Sequence, residues 1–237
     1  MVLPPVAPEK PRSRELMRRI DPTASIGTRE LSQTAVLTAI FVVASVIPLT
    51  AFIGGAGFIT LGIVFVPVLG CILKPRASLI AALTGSVCIY VLQMATAPVY
   101  GPYSLLVPTS GIFLGSVAFH NRLGGLAAWA YVFFGALYYW TFSGGTYAWL
   151  APYFLVLVSL PFARRPSKIR VPLLCLYSTM CELTTMTMGS VYILRLPGPL
   201  WALITPFMFF ERTVATSGSA TLLAALRRTL PALFGET

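Results

Sequence analysis

The sequence predicts an all-α protein, a polytopic bundle of transmembrane helices with six to eight spans and both termini cytoplasmic. Three observations carry this expectation. Apolar residues form 57% of the 237-residue chain, charged residues only 10%, and mean hydropathy is +0.82. A soluble domain is nearer about 45–50% apolar and about 25% charged, so a soluble globule and a disordered chain are both disfavoured. The apolar residues gather into eight runs, and basic residues mark alternate gaps between them. At about 20–25 residues per span with its loop, the chain has room for six to eight helices.

Residues 1–29 come first. They are polar and basic, hold Pro4, Pro5, Pro8 and Pro11, and contain no apolar core of the kind a signal peptide needs. They read as a cytoplasmic, basic, disordered tail, with 12–19 as a short basic helix on anionic lipid as the lesser alternative. A transmembrane domain over 30–228 follows, then a cytoplasmic tail over 229–237.

The runs are 31–50, 56–73, 77–97, 103–119, 124–142, 146–163, 171–194 and 199–226. Helix breakers separate them: Gly54-Gly55, Lys74-Pro75-Arg76, Pro98 to Pro102, Asn121-Arg122, Gly144-Gly145, Arg164 to Arg170, and Pro197-Gly198-Pro199. The fourth and sixth runs are short enough to be re-entrant or interfacial.

Orientation follows from charge. With the N-terminus inside, 15 of the 17 Lys and Arg residues fall on inside segments. Arg195 is alone outside, and Arg212 lies within the eighth run. Such a split obeys the positive-inside rule and places the protein in the plasma membrane as a multi-pass chain. The net charge of +10 is therefore a topology signal and not a nucleic-acid footprint.

Charge inside the runs is rare. The first seven hold only Glu182, and the eighth holds Glu211 and Arg212. Intramembrane charges cost several kcal/mol and persist where they are paired or face a polar cavity. Glu182 is eleven residues from the inner end of its run and Arg212 thirteen from the outer end of its own, about 16 Å and about 20 Å at 1.5 Å per residue. Both sit near mid-bilayer and can meet. A structural ion pair and a substrate-binding charge are both open at this point.

The seventh run also carries a stripe. Ser178, Glu182, Thr185, Met186, Gly189 and Tyr192 share one helical face, which suits either a ligand cavity or interhelical packing. Gln93, Thr109, Ser110 and Trp201 lie toward the outer side. Trp140, Trp149 and Trp201 read first as interfacial anchors. Arg195 either attracts an anion or snorkels. The candidate substrate-binding set is thus Gln93, Ser178, Glu182, Thr185, Tyr192, Trp201, Glu211 and Arg212.

Small residues at four-residue spacing mark close helix contacts: Ala35 and Ala39, Ala81 and Gly85, Gly111 and Gly115, and the segment 215–220. On the first, third and eighth runs they lie in cytoplasmic halves, where a membrane partner would dock. Cys71, Cys88, Cys175 and Cys181 form no CxxC and read as buried small apolar residues. With His120 the sole histidine, neither a metal site nor a cofactor is expected. HExxH, GxSxG and GxxxxGK[ST] are all absent, so the chain reads as a non-enzyme. An intramembrane enzyme using Glu182 as acid or base is a minor alternative.

The segments Thr34-Ala35-Val36-Leu37-Thr38-Ala39, Gly54-Gly55-Ala56-Gly57, Leu61-Gly62, Val66-Pro67-Val68-Leu69-Gly70 and Ala81-Ala82-Leu83-Thr84-Gly85 follow one another after a cytoplasmic polar stretch. The last run carries Glu211-Arg212 ahead of small residues and a final Arg pair. This arrangement resembles the substrate-binding S components of energy-coupling-factor transporters, best over 30–97 and 199–228. The resemblance implies a small membrane subunit that captures a vitamin, a precursor or a metal-ion-related nutrient from outside. It implies no ATPase activity in this chain and no cofactor. Its partners would be a transmembrane coupling subunit, docked through Ala35 and Ala39, two ATP-binding subunits, a small-molecule substrate and membrane lipid, with no nucleic acid. The stretch 50–57 would match the loop that closes over the ligand. The alternative is an accessory or structural subunit of another membrane complex.

Overall fold

Each of the eight apolar runs contains one helix. The structure, a computed structural model, describes residues 27–51, 58–92, 100–121, 123–164 and 168–234. The tail reading for 1–26, the 52–57 part of the proposed ligand loop, and Gln93 lie outside the described residues. The helices are α1 (Thr28–Ala44), α2 (Gly62–Ile72), α3 (Pro75–Leu92), α4 (Leu106–His120), α5 (Gly124–Phe142), α6 (Ala151–Arg164), α7 (Arg170–Tyr192) and α8 (Gly198–Thr229). Single 3-10 turns precede α4 (Gly101–Leu105) and α6 (Tyr147–Leu150).

Local chemistry sets the boundaries. Pro75 opens α3 and Pro199 lies in the first turn of α8, where the missing N–H is one the helix does not need. Between α1 and α2 the chain leaves the helix and pairs β1 (Pro48–Ala51) with β2 (Phe58–Thr60), antiparallel and with one irregularity near Pro48. Continuous apolar patterning hid this pair, because a short apolar run reads alike as helix or strand. The pair leaves α2 only eleven residues, about 16 Å long. The second run, rather than the fourth or sixth, is therefore the most shortened. All but one of the α2 residues are buried, and Ser219 of α8 bonds the Val64 carbonyl at 2.7 Å.

Helix α7 is the hub. It packs on α4, α5, α6, α8 and α2, and it buries both polar and apolar side chains from Leu174 to Thr185. Its seam with α4 depends on glycine. A Cβ on Gly115 would lie 2.5 Å from Ser178 Oγ, and one on Gly111 would lie 2.7 Å from Val66 and 2.9 Å from Glu182 Cβ. Backbones this close leave no room for a side chain, which is the use of small residues between membrane helices. Ser178 then donates to the Gly111 carbonyl at 2.9 Å.

The two ends of the bundle differ in charge. At one end Arg29 donates to the Ala232 carbonyl, Lys74 lies 3.9 Å from Glu30, and the Arg227 guanidinium sits 5.2 Å above the Phe234 ring. The chain past α8 is consequently not a free tail over its described part: Pro231–Phe234 forms a 3-10 turn that packs back on the core. At the opposite end the rings of Tyr139, Trp149 and Trp201 meet with centroids 4.9 to 6.1 Å apart.

The outward faces are apolar. Val36, Val43, Val87, Val91, Phe134, Trp140, Phe154, Val158 and Phe210 are all exposed. Patches of this extent mark a membrane or protein contact surface. Two helical stretches, Pro75–Leu92 and Gly101–His120, are long and apolar enough to cross a membrane.

Candidate functional site

The three ionisable groups of the runs meet at one buried point between α7 and α8. Arg212 Nη1 lies 3.1 Å from Glu182 Oε2 and donates to the Thr179 carbonyl at 2.8 Å. Its Nη2 donates to Glu211 Oε1. Glu182, Glu211 and Arg212 are 6%, 5% and 4% exposed, so the trio is shut away from the surface. Residues 182 and 212 come from different helices, while 211 and 212 are neighbours on one. The guanidinium fork therefore bridges the α7 and α8 backbones.

Charge does not balance there. Two carboxylates face one guanidinium, which leaves one negative charge uncompensated by side chains when both are ionised. Arg212 Nε also has no acceptor. Two more buried polar atoms, Thr184 Oγ1 and Trp149 Nε1, make no close hydrogen bond, and both side chains lie beside the Tyr153 phenol. Buried polar atoms without partners are scarce in folded proteins and each calls for an explanation.

A second polar cluster surrounds Thr185. Its hydroxyl lies 2.5 Å from Ser110 Oγ and 2.7 Å from Tyr131 Oη, and its carbonyl accepts from Tyr103 at 2.8 Å. Farther out, Tyr100 and Ser190 hydroxyls are 2.7 Å apart. Tyr153 donates to Thr187 at 3.0 Å. The tyrosines of this network were not singled out from sequence. A phenol within an apolar run was the only available signal, and such phenols usually serve packing.

The candidate residues thus divide. Glu182, Glu211 and Arg212 come together. Ser178 and Thr185 stand on the same face of α7 as Glu182, but they spend their hydroxyls on the α4 seam. Tyr192 leaves the stripe and is 74% exposed. Trp201 and Trp149 are not interfacial anchors: both are buried in the aromatic cluster, and Trp201 Nε1 donates to the Leu196 carbonyl at 3.2 Å. Trp140 alone of these three is exposed.

The small-residue pairs divide as well. Ala35 and Ala39 face outward on α1. Ala81 and Gly85 do not contribute a docking face, since both are buried and Gly85 packs against Phe41 and Thr38. Ala215 and Ser219 likewise face α2 inside the bundle. Cys71, Cys175 and Cys181 are buried, whereas Cys88 is exposed on α3.

No family model, curated protein or solved structure matches the chain.

Proposed function

We propose that the chain is a multi-pass membrane subunit that binds a small nutrient for uptake, working as an S component of an energy-coupling-factor transporter works. One observation carries the reading: a buried Glu182–Arg212–Glu211 trio, one positive charge short of neutrality, inside a bundle whose outer faces are apolar. Groups of this kind persist in membranes where they pair or serve a pathway. A proton, or the cationic group of a substrate, would supply the missing charge. The basic end of the bundle faces the cytoplasm in this reading, with both termini there. The exposed face of Ala35 and Ala39 then meets the transmembrane coupling subunit, and two ATP-binding subunits drive the cycle.

The test is co-expression with a coupling subunit and its two ATP-binding subunits, followed by affinity capture. A stable complex that Ala35→Trp and Ala39→Trp disrupt supports the reading. A chain that never joins such a complex refutes it.

A second reading has its own support. The Arg212 fork is seated on two carboxylates and a backbone carbonyl that join two helices, as a structural clamp would be. A subunit with that clamp and no ligand would be an accessory component of a membrane complex. Small-molecule retention through purification separates the two.

A further inference from the structure

The end of the bundle opposite the basic termini carries a cleft of about 570 Å³ between the C-terminal ends of α5 and α7. Tyr138, Phe142, Ser143, Tyr192 and Arg195 line it. Two features set it apart. Arg195 is the one Lys or Arg residue assigned to this end, and among the described residues it makes no hydrogen bond or ion pair. Its left-handed backbone, with φ of 50°, ends α7: it turns the chain so that Leu196 N–H returns to the Ser190 carbonyl at 3.2 Å, which fixes where the side chain leaves the helix end. Phe142 and Tyr192 of the lining are more than half exposed; so are Trp140, which lines a separate groove between α5 and α6, and Tyr147, whose ring lies 4.9 Å from that of Trp140.

These features agree in chemistry. A guanidinium offers a planar fork of donors that matches phosphate oxygens. Ser143 adds a hydroxyl on the same wall, and the tyrosine and phenylalanine rings supply an apolar lining. An exposed belt of Trp and Tyr is the side-chain class that settles at headgroup depth. We infer that this cleft is a binding site for a phosphate group carried on an apolar body, with Arg195 as its charged contact. An outer-leaflet phospholipid and a soluble organic phosphate share that chemistry. The inference stands apart from the buried trio and does not need the transport reading.

The experiment uses the full chain, purified in neutral detergent and placed in nanodiscs. One arm measures retained phosphatidylglycerol against phosphatidylcholine by native mass spectrometry. The other titrates phenyl phosphate against phenol by calorimetry. Wild type is expected to favour at least one anionic probe over its neutral counterpart, and the arm that responds identifies the source. Arg195→Gln and Arg195→Gly should each weaken that binding about tenfold, the scale of a lost charge-assisted hydrogen bond. Arg228→Gln, which removes the same charge at the other end, should leave it unchanged. Glycine accepts φ of 50° without strain, so Arg195→Gly should melt no lower than wild type and show that the loss is not one of folding. Equal binding of charged and neutral probes, or anion binding that both Arg195 variants retain, overturns the assignment.

Discussion

Arg212 on α8 reaches Glu182 on α7 at 3.1 Å, and the same nitrogen takes the Thr179 carbonyl one turn earlier on α7 at 2.8 Å. The two helices are joined by a cation seated on a carboxylate and on a carbonyl together. Such a joint is asymmetric in energy: removing one partner strands a buried charge, whereas removing all the charges does not.

Arg212→Met should therefore lower stability by about 3–5 kcal/mol, because it leaves Glu182 and Glu211 buried without a cation. The triple variant Glu182→Gln, Glu211→Gln, Arg212→Met should recover most or all of that loss. Denaturant midpoints or melting in detergent measure both. A single variant as stable as wild type would show that the trio does not clamp the helices.

The α4–α7 seam gives a second test. Gly115→Val places atoms where Ser178 already stands and should cost about 1–3 kcal/mol by overpacking. Gly125→Ala, at a helical position with nothing within 4 Å of the added Cβ, should be neutral or raise stability by up to about 1 kcal/mol. Parallel melting curves decide it, and equal behaviour of the two variants contradicts the close approach.

On α1, Ala35→Trp should leave the isolated chain folded, since its face is exposed, and should abolish capture by a coupling subunit. Ala81→Trp on α3 should instead destabilise the chain itself by about 1–3 kcal/mol or more, because Ala81 is only 1% exposed. Elution profile and complex capture, scored separately, test the pair.

Topology is open to thiol labelling in intact cells. A membrane-impermeant maleimide should modify Tyr147→Cys from outside and spare Thr229→Cys until the membrane is opened. Tyr147 is 73% exposed and belongs to the end opposite the basic termini. Thr229 ends α8 beside Arg227 and Arg228, the end that the positive-inside rule keeps cytoplasmic. The reverse labelling pattern would invert the orientation.

Much of the helical layout was legible because breakers punctuate the sequence: Lys74-Pro75-Arg76, Gly144-Gly145 and Pro197-Gly198-Pro199 all fall between helices. That Glu182 and Arg212 share one depth was legible too, since depth along two spans reduces to counting residues, but whether they pair was not: facing across a helix seam depends on rotation and packing that counting does not give. Inside from outside was much less so. Ala35–Ala39 and Ala81–Gly85 have the same spacing, yet one pair faces outward and the other is buried under Phe41. Trp201 and Trp140 lie in equally apolar runs, yet one fills the core and the other the exterior. In a chain this apolar the lipid-facing and buried faces share one composition, so hydrophobicity alone cannot sort them. The β1–β2 pair and the shortened α2 were hidden for a related reason.

The most direct measurement is the small-molecule content of the purified protein. Wild type and the triple variant Glu182→Gln, Glu211→Gln, Arg212→Met are denatured after identical purification, and the released compounds are identified by mass spectrometry. Nutrient capture at the trio predicts one small molecule, stoichiometric with wild type and depleted at least about tenfold from the folded variant. A wild-type protein that releases nothing, or a variant that releases the same compound in the same amount, contradicts it.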